Sequence, residues 1–315
     1  MGMVEGILLT IITAATPLLI AALGELVAER SGVLNLGVEG MMAVGAVAGF
    51  AVALETGNPA LGVLAAIVGG MITAALFGVV TLVFVANQVA SGLALTLFGL
   101  GLSGMLGTAY VGRPGARLQA LDLPVLSDIP IVGRLVFGLD PITYIGLALA
   151  LGVWLFLFRS RAGLVLRAVG DSHVSAHSLG YPVVRVRFLA VLFGGACAGL
   201  AGGYLSLVYT PQWAQAMTAG RGWIAIALVV FATWLPGRVV LGALIFGAVS
   251  ILQLHAQASG GIPLPGGERL FVPSQFLSML PYLTTILVLV IISRNQILLR
   301  VNTPACLGQP FVPDR

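Results

Sequence analysis

The longest charge-free stretches of this chain set its physical class. Ala60–Gln88 contains no Asp, Glu, Lys or Arg, and neither does Val239–Leu254. A helix crossing the hydrocarbon core of a bilayer needs roughly 20 mostly apolar residues. A soluble domain carries about 25% charged residues, against 8% here, with 59% hydrophobic residues. Mean hydropathy is +1.08. The fold class expected is all-α: a polytopic transmembrane helical bundle of about 8–10 spans, forming a single domain over residues 1–315.

Nine apolar segments are candidate spans: Val4–Leu23, Leu36–Leu54, Ala60–Ala86, Gln88–Val111, Pro141–Phe158, Phe188–Thr210, Trp223–Leu235, Val239–Ala258 and Gln275–Ser293. The first lacks a basic leader and reads as a retained span rather than a signal peptide. The seventh is short, as expected of a broken or tilted helix.

Alternation assigns the connecting segments to two sides. One side holds ten arginines (30, 159, 161, 167, 185, 187, 238, 294, 300, 315) against four acids, Glu25, Glu29, Asp171 and Asp314, a net +6. The other holds five arginines against six acids, a net −1, and Glu39 lies within a span. The positive-inside rule makes the first side cytoplasmic, with the N-terminus outside and the C-terminus inside. A Pro- and Gly-rich loop, about 112–140, is then external. The most basic loop, about 159–187, and a tail, about 294–315, are cytoplasmic.

All 15 basic residues are arginine. Without lysine the chain has no GxxxxGK[ST] phosphate loop, so it cannot energise itself with ATP in that way. Its positive charge is accounted for by membrane topology, and no nucleic-acid partner is expected. Cys197 and Cys306 suit neither a disulfide framework nor a zinc site. His173 and His177 are four apart, but no Cys, Asp or Glu joins them on that face. No catalytic set is visible, and no metal or cofactor is expected on this chain.

Polar groups gather at "GELVAERSGVLNLGVEGMM", Gly24–Met42. Were this segment helical, Asn35 and Glu39 would share a face. An acid one turn into a span marks a polar pathway or a buried pairing, or else caps a helix N-terminus. Polar positions within or beside spans, Asn35, Glu39, Asn87, Gln88, Ser91 and Thr96, are candidates to line a substrate pathway. Gln253 and His255 are further candidates, and Phe98, Trp223 and Phe231 could supply flat walls. In the basic loop a short polar stretch, Ala168–Leu179, has Asp171-Ser172 at its head and stops at Gly180-Tyr181-Pro182. Asp or Ser is a good N-cap and Gly followed by Pro a helix stop, so a cytoplasmic helix of two to three turns is expected. It offers a surface for a soluble partner or for anionic lipid headgroups.

Three segments carry a family resemblance: "GELVAERSGVLNLGVEGMMAVGA", "LRAVGDSHVSAHSLGYPVVRVRFLAVLFGGACAGLAGGYLSL" and "GRGWIAIALVVFATWLPGRVVLGALIFG". They resemble the first two spans, the cytoplasmic coupling loop and the late-span signature of ABC-importer permeases for nucleosides, within the group that includes branched-chain amino acid and ribose permeases. The resemblance runs over nearly the whole chain. It implies a permease subunit in a bacterial-type plasma (inner) membrane, coupled to cytoplasmic ATPase subunits that bind the ATP. It also implies a second, related permease chain, an external substrate-binding lipoprotein, and surrounding membrane lipid. Asp171, Ser172, Ala176, Leu179, Gly180 and Tyr181 would form the coupling element. The chain departs from the group where His173 and Ser175-Ala176 replace a proline and an alanine pair. It departs again where Phe231-Ala232-Thr233-Trp234 replaces Phe-Gly-Arg-Trp, which removes a positive charge. A permease for a simple sugar or other small solute is the alternative. A stand-alone proton-coupled carrier, with Glu39 as its carboxylate, is another.

Overall fold

The computed structural model describes residues 3–115, 117–121, 135, 137–258, 262–263, 269–270, 273–293 and 302–312. Residues 122–134 of the loop expected to be external and the tail segment 294–301 lie outside these. Apolar segments become helices in the expected order: α1 (Met3–Arg30), α2 (Val38–Thr56), α3 (Pro59–Gly78), α4 (Gln88–Gly107) and α5 (Pro141–Arg159). Two short helices follow, α6 (Arg161–Asp171) and α7 (His173–Ser178), then α8 (Val183–Tyr204), α9 (Arg221–Phe231) and α10 (Pro236–Ala258). A two-residue antiparallel pair, β1 (Ile262–Pro263) and β2 (Arg269–Leu270), precedes α11 (Ser274–Ser278) and α12 (Leu280–Ser293). Among the described residues seven helices are long and apolar enough to cross a membrane. The seventh and ninth expected spans are the two shorter ones. The protein is a multi-pass, all-α membrane bundle.

Short polar residues set the helix starts. The Asn58 side chain accepts from the Ala60 amide ahead of Pro59, and the Asn87 side chain from the Ala90 amide. Asp140, ahead of Pro141, accepts from the Thr143 amide. Each satisfies an amide that the helix itself cannot.

The core is built on small residues. On α3, Gly62, Ala66, Gly70 and Ala74 recur every four residues and are buried. Leu61, Leu64, Val68, Ile72 and Leu76 on the same helix are exposed toward lipid. Small inside and large outside is the pattern expected where water does not drive association and close backbone approach does. At Gly199 of α8 a Cβ would meet the Ala66 carbonyl oxygen and would stand 2.9 Å from the Gly70 Cα. Gly45 of α2 reaches the other side of the same residue. The glycines around Gly199 are therefore the seam where α2, α3 and α8 meet. A buried knot ties α1, α5 and α8: Thr143 Oγ1 donates to Asp140 Oδ2 (2.6 Å), Tyr204 OH donates to the same oxygen (3.3 Å), and Thr16 bonds Thr143 (3.1 Å).

Three expectations need correction. The first helix does not stop at Leu23 but continues to Arg30, so Glu25 and Glu29 are buried helix residues rather than loop charges. Asn35 precedes α2, so it and Glu39 do not share a helical face. The helix of two to three turns expected behind Asp171-Ser172 is only the six-residue α7, and α6 is a separate helix before it. Ser172 adopts extended backbone between α6 and the six-residue α7, and its hydroxyl takes the Ser175 amide. Asp171 ends α6 and is not the cap.

Candidate functional site

At about 1.5 Å per residue, the 28 residues of α1 exceed a hydrocarbon core of about 30 Å. The chain turns at Gly32 (φ +90°), and residues 33–37 climb back as non-helical backbone beside the end of α1. Such backbone survives at membrane depth only where protein or a water-lined cavity satisfies it. Here the protein does much of that work. The Leu34 amide donates to Gln88 Oε1 (2.8 Å) and the Asn35 amide to Glu25 Oε1 (3.2 Å). The Gly37 amide donates to Asn35 Oδ1 (2.9 Å), and Thr96 Oγ1 donates to the Leu36 carbonyl (2.9 Å).

A second broken element lies across from it. α9 has 11 residues, about 16 Å, too short to cross. It begins after an irregular segment in which Ala216, Ala219 and Gly220 all take positive φ. Its start is capped by Glu39 from α2. Oε1 accepts from Thr218 Oγ1 (2.6 Å) and the Gly220 amide (2.9 Å), and Oε2 from the Gly222 amide (2.6 Å). A carboxylate at a helix N-terminus satisfies free amides and complements the helix dipole. Both readings of Glu39 therefore meet in one residue: it is buried and paired, and it caps a helix other than its own.

The far end of α9 is fastened to α1. Thr233 and Trp234 both adopt left-handed backbone (φ +49° and +54°), a conformation costing non-glycine residues about 1–2 kcal/mol each. The turn is held by Trp234 Nε1 donating to Glu29 Oε2 (2.6 Å) and by Arg30 Nη2 donating to the Trp234 carbonyl (3.0 Å).

Of the expected pathway residues, Asn35, Gln88 and Thr96 come together around the 33–37 segment. Glu39 joins from the start of α2. Asn87 is exposed and caps α4, and Ser91 is half-buried one turn further along. Phe98 and His255 are exposed, while Gln253, Trp223 and Phe231 are half-buried. Sequence reasoning missed Glu25, Glu29, Thr218 and Trp234. The signal available was the four-residue spacing of Glu25 and Glu29, which places both on one helix face. Glu25 Oε2, Glu29 Oε1 and Gln88 Nε2 are buried without a hydrogen-bond partner among the described residues.

Of the residues expected to form a coupling element, Ala176 is buried, Leu179 is 77% exposed, and Tyr181 and Asp171 are exposed. Gly180 (φ +86°) closes α7, with its amide donating to the His177 carbonyl. Of the arginines counted as cytoplasmic, Arg30 and Arg187 are buried. Arg187 Nε donates to the Ser31 carbonyl (3.1 Å), and its Nη2 lies 3.2 Å from His173 Nδ1. Arg159 and Arg167 stack over Trp154 and Phe158.

The family described as branched-chain amino acid transport system / permease component matches residues 7–292. TsgC13 of Haloferax volcanii, a permease provisionally named for glucose ABC transport, is 42% identical over 99% of this chain and 98% of its own. The guanosine ABC transporter permease NupQ of Bacillus subtilis is 31% identical over 96% and 94%. The nucleoside ABC transporter permease NupC of Lactococcus lactis is 30% identical over 87% and 88%. With a broken-helix membrane bundle and a family match across nearly its whole length, this chain belongs to the branched-chain amino acid transport system permease family.

Proposed function

We propose that the chain forms the translocation pathway of an ATP-driven importer for nucleosides, with ATP hydrolysed by separate cytoplasmic subunits. The observation that carries this reading is the polar cluster between the two broken elements. Glu25, Glu29 and Gln88 each keep one buried polar atom without a hydrogen-bond partner among the described residues, and such atoms are expected to face water or ligand. Glu39 and α9 bring irregular backbone to the same region, as in transport sites built from discontinuous helices. A neutral solute rich in hydroxyls and ring nitrogens suits hydrogen-bonding groups of this kind. The relatives named for guanosine and nucleosides support that solute class.

The 42% identity to the relative named for glucose favours a second reading, a sugar importer. Both solutes present hydroxyls, and a nucleoside adds a flat base. The whole chain acts as a single permease domain, with the N-terminus outside and the C-terminus cytoplasmic. Its partners are ATPase subunits docking on the Asp171–Tyr181 segment, a second related permease chain and an external lipoprotein receptor.

The test is uptake by the complete importer in proteoliposomes. ATP-dependent accumulation of labelled guanosine or another nucleoside, not displaced by excess glucose, is expected. Glucose uptake insensitive to nucleosides would replace the first reading with the second. Accumulation by the purified chain alone, driven by a proton gradient, would overturn both.

A further inference from the structure

The C-terminal residues return to the cytoplasmic helix pair. The Cys306 amide donates to the Gly170 carbonyl at the end of α6 (2.9 Å), and the Gly308 amide to the Gly32 carbonyl (3.1 Å). Arg187 Nη1 donates to the Gln309 carbonyl (3.0 Å), joining the tail to α8. The Phe311 ring then lies edge-on to both His173 (5.2 Å) and His177 (5.3 Å). It also packs against the small apolar cluster of Val169, Ala176 and Val183.

A six-residue helix is too short to hold its own shape in water, so packing must supply its stability. His173, Ala176 and His177 are spaced i, i+3, i+4 and form one face of α7. That face is the one the tail covers. Val174 (63% exposed) and Leu179 (77%) lie off it, and Val312, next along the tail, is 65% exposed. Arg161 and Arg185, on the helices that bracket α7, are exposed.

We propose that residues 304–312 are a strap that positions α7. In this role Val312 joins Val174 and Leu179 in a composite docking surface for the ATPase subunit. The inference rests on the coupling role proposed above and adds a second chain segment to it. The tail leaves the outer face of α7 open, so it builds the surface rather than blocking it. The partner that fits is an apolar cleft with an acidic rim, complementary to the exposed aliphatic side chains and to Arg161 and Arg185.

The test uses the complete importer, measuring ATPase retention and substrate-stimulated ATP hydrolysis alongside membrane insertion of the permease. Phe311→Ser is expected to lower coupled transport about tenfold, with the permease still inserted and paired. Phe311→Leu, which keeps an apolar plug, is expected to restore most of it. Leu179→Asp is expected to lose coupling as well. Normal coupling in Phe311→Ser with loss in Leu179→Asp would overturn the strap and leave the coupling reading standing. Normal coupling in both would overturn both. Loss of inserted permease in Phe311→Ser would also overturn the proposal, because Phe311 would then determine the folding of the bundle rather than the position of α7.

Discussion

The Glu39 carboxylate, in the first turn of α2, accepts the Gly222 amide at 2.6 Å across 183 residues of sequence, so one acid ties α2 to the start of α9. Glu39→Ala strips the acceptor from two amides and a hydroxyl in a buried site. Each abandoned donor costs about 1–3 kcal/mol. The variant is expected to unfold at markedly lower temperature and to lose transport. Glu39→Gln keeps one acceptor oxygen and should fall between it and the wild type. Thermal unfolding of the purified complex checks the order, and an unchanged midpoint for the alanine variant would refute the capping role.

Trp234→Phe keeps an aromatic ring but removes the donor to Glu29 Oε2. Glu29 would then lose its only hydrogen bond described from the α9–α10 turn, at a cost of about 1–3 kcal/mol. Arg30 still reaches the main-chain carbonyl of residue 234, so the turn should persist with weaker closure. Expected are a lower unfolding midpoint and higher ATP hydrolysis per solute transported, read in proteoliposomes. An unaltered ratio of hydrolysis to transport would argue against a role for this fastening in gating.

Two glycines make a matched pair. Gly199→Ala places a methyl into the backbone of α3, where overpacking costs about 1–3 kcal/mol. At Gly101, on the exposed side of α4, a Cβ meets nothing within 4 Å, and Gly→Ala in a helix interior gains up to about 1 kcal/mol. The first is expected to lower the yield of folded permease and the second to leave it equal or higher. Quantified monodisperse protein after detergent extraction decides between them.

His173 gives α7 a pH dependence. Burial first, and the Arg187 guanidinium second, hold its imidazole below the ordinary value of 6.5. The neutral ring is the form the fold prefers, so its stabilising contribution is complete above about pH 6.5 and is lost as pH falls below that through the lowered value. Coupling efficiency should decline on acidification toward pH 5, and His173→Gln should flatten that decline. A decline of equal steepness in both proteins would assign the effect elsewhere.

How much could be read in advance differs by residue. The sequence makes Gln88 and Thr96 polar candidates for a pathway, but that they hold residues 33–37 emerges only from the packed structure. Glu39 stood out because an acid inside an apolar run is costly. Its partners, Thr218, Gly220 and Gly222, carry no matching signal, because a main-chain amide is invisible in composition. Glu25 and Glu29 were misplaced because hydropathy ends a span where charge begins. In the structure the helix continues to Arg30, and α9 with its following turn buries that end.

Sequence alone fixed the membrane class, because stretches without charge and as long as a bilayer is thick leave a chain no other stable environment. It also set the order of the helices, though not every end: α1 runs on to Arg30. Tertiary packing decided which polar groups meet: Glu39 with the start of α9, Glu29 with Trp234, and the tail with α7. Those pairings join residues far apart along the chain. The first is held mostly by main-chain amides, the second by one indole N–H and the third by the Phe311 ring, and such groups acquire a partner only when the segments that carry them are packed.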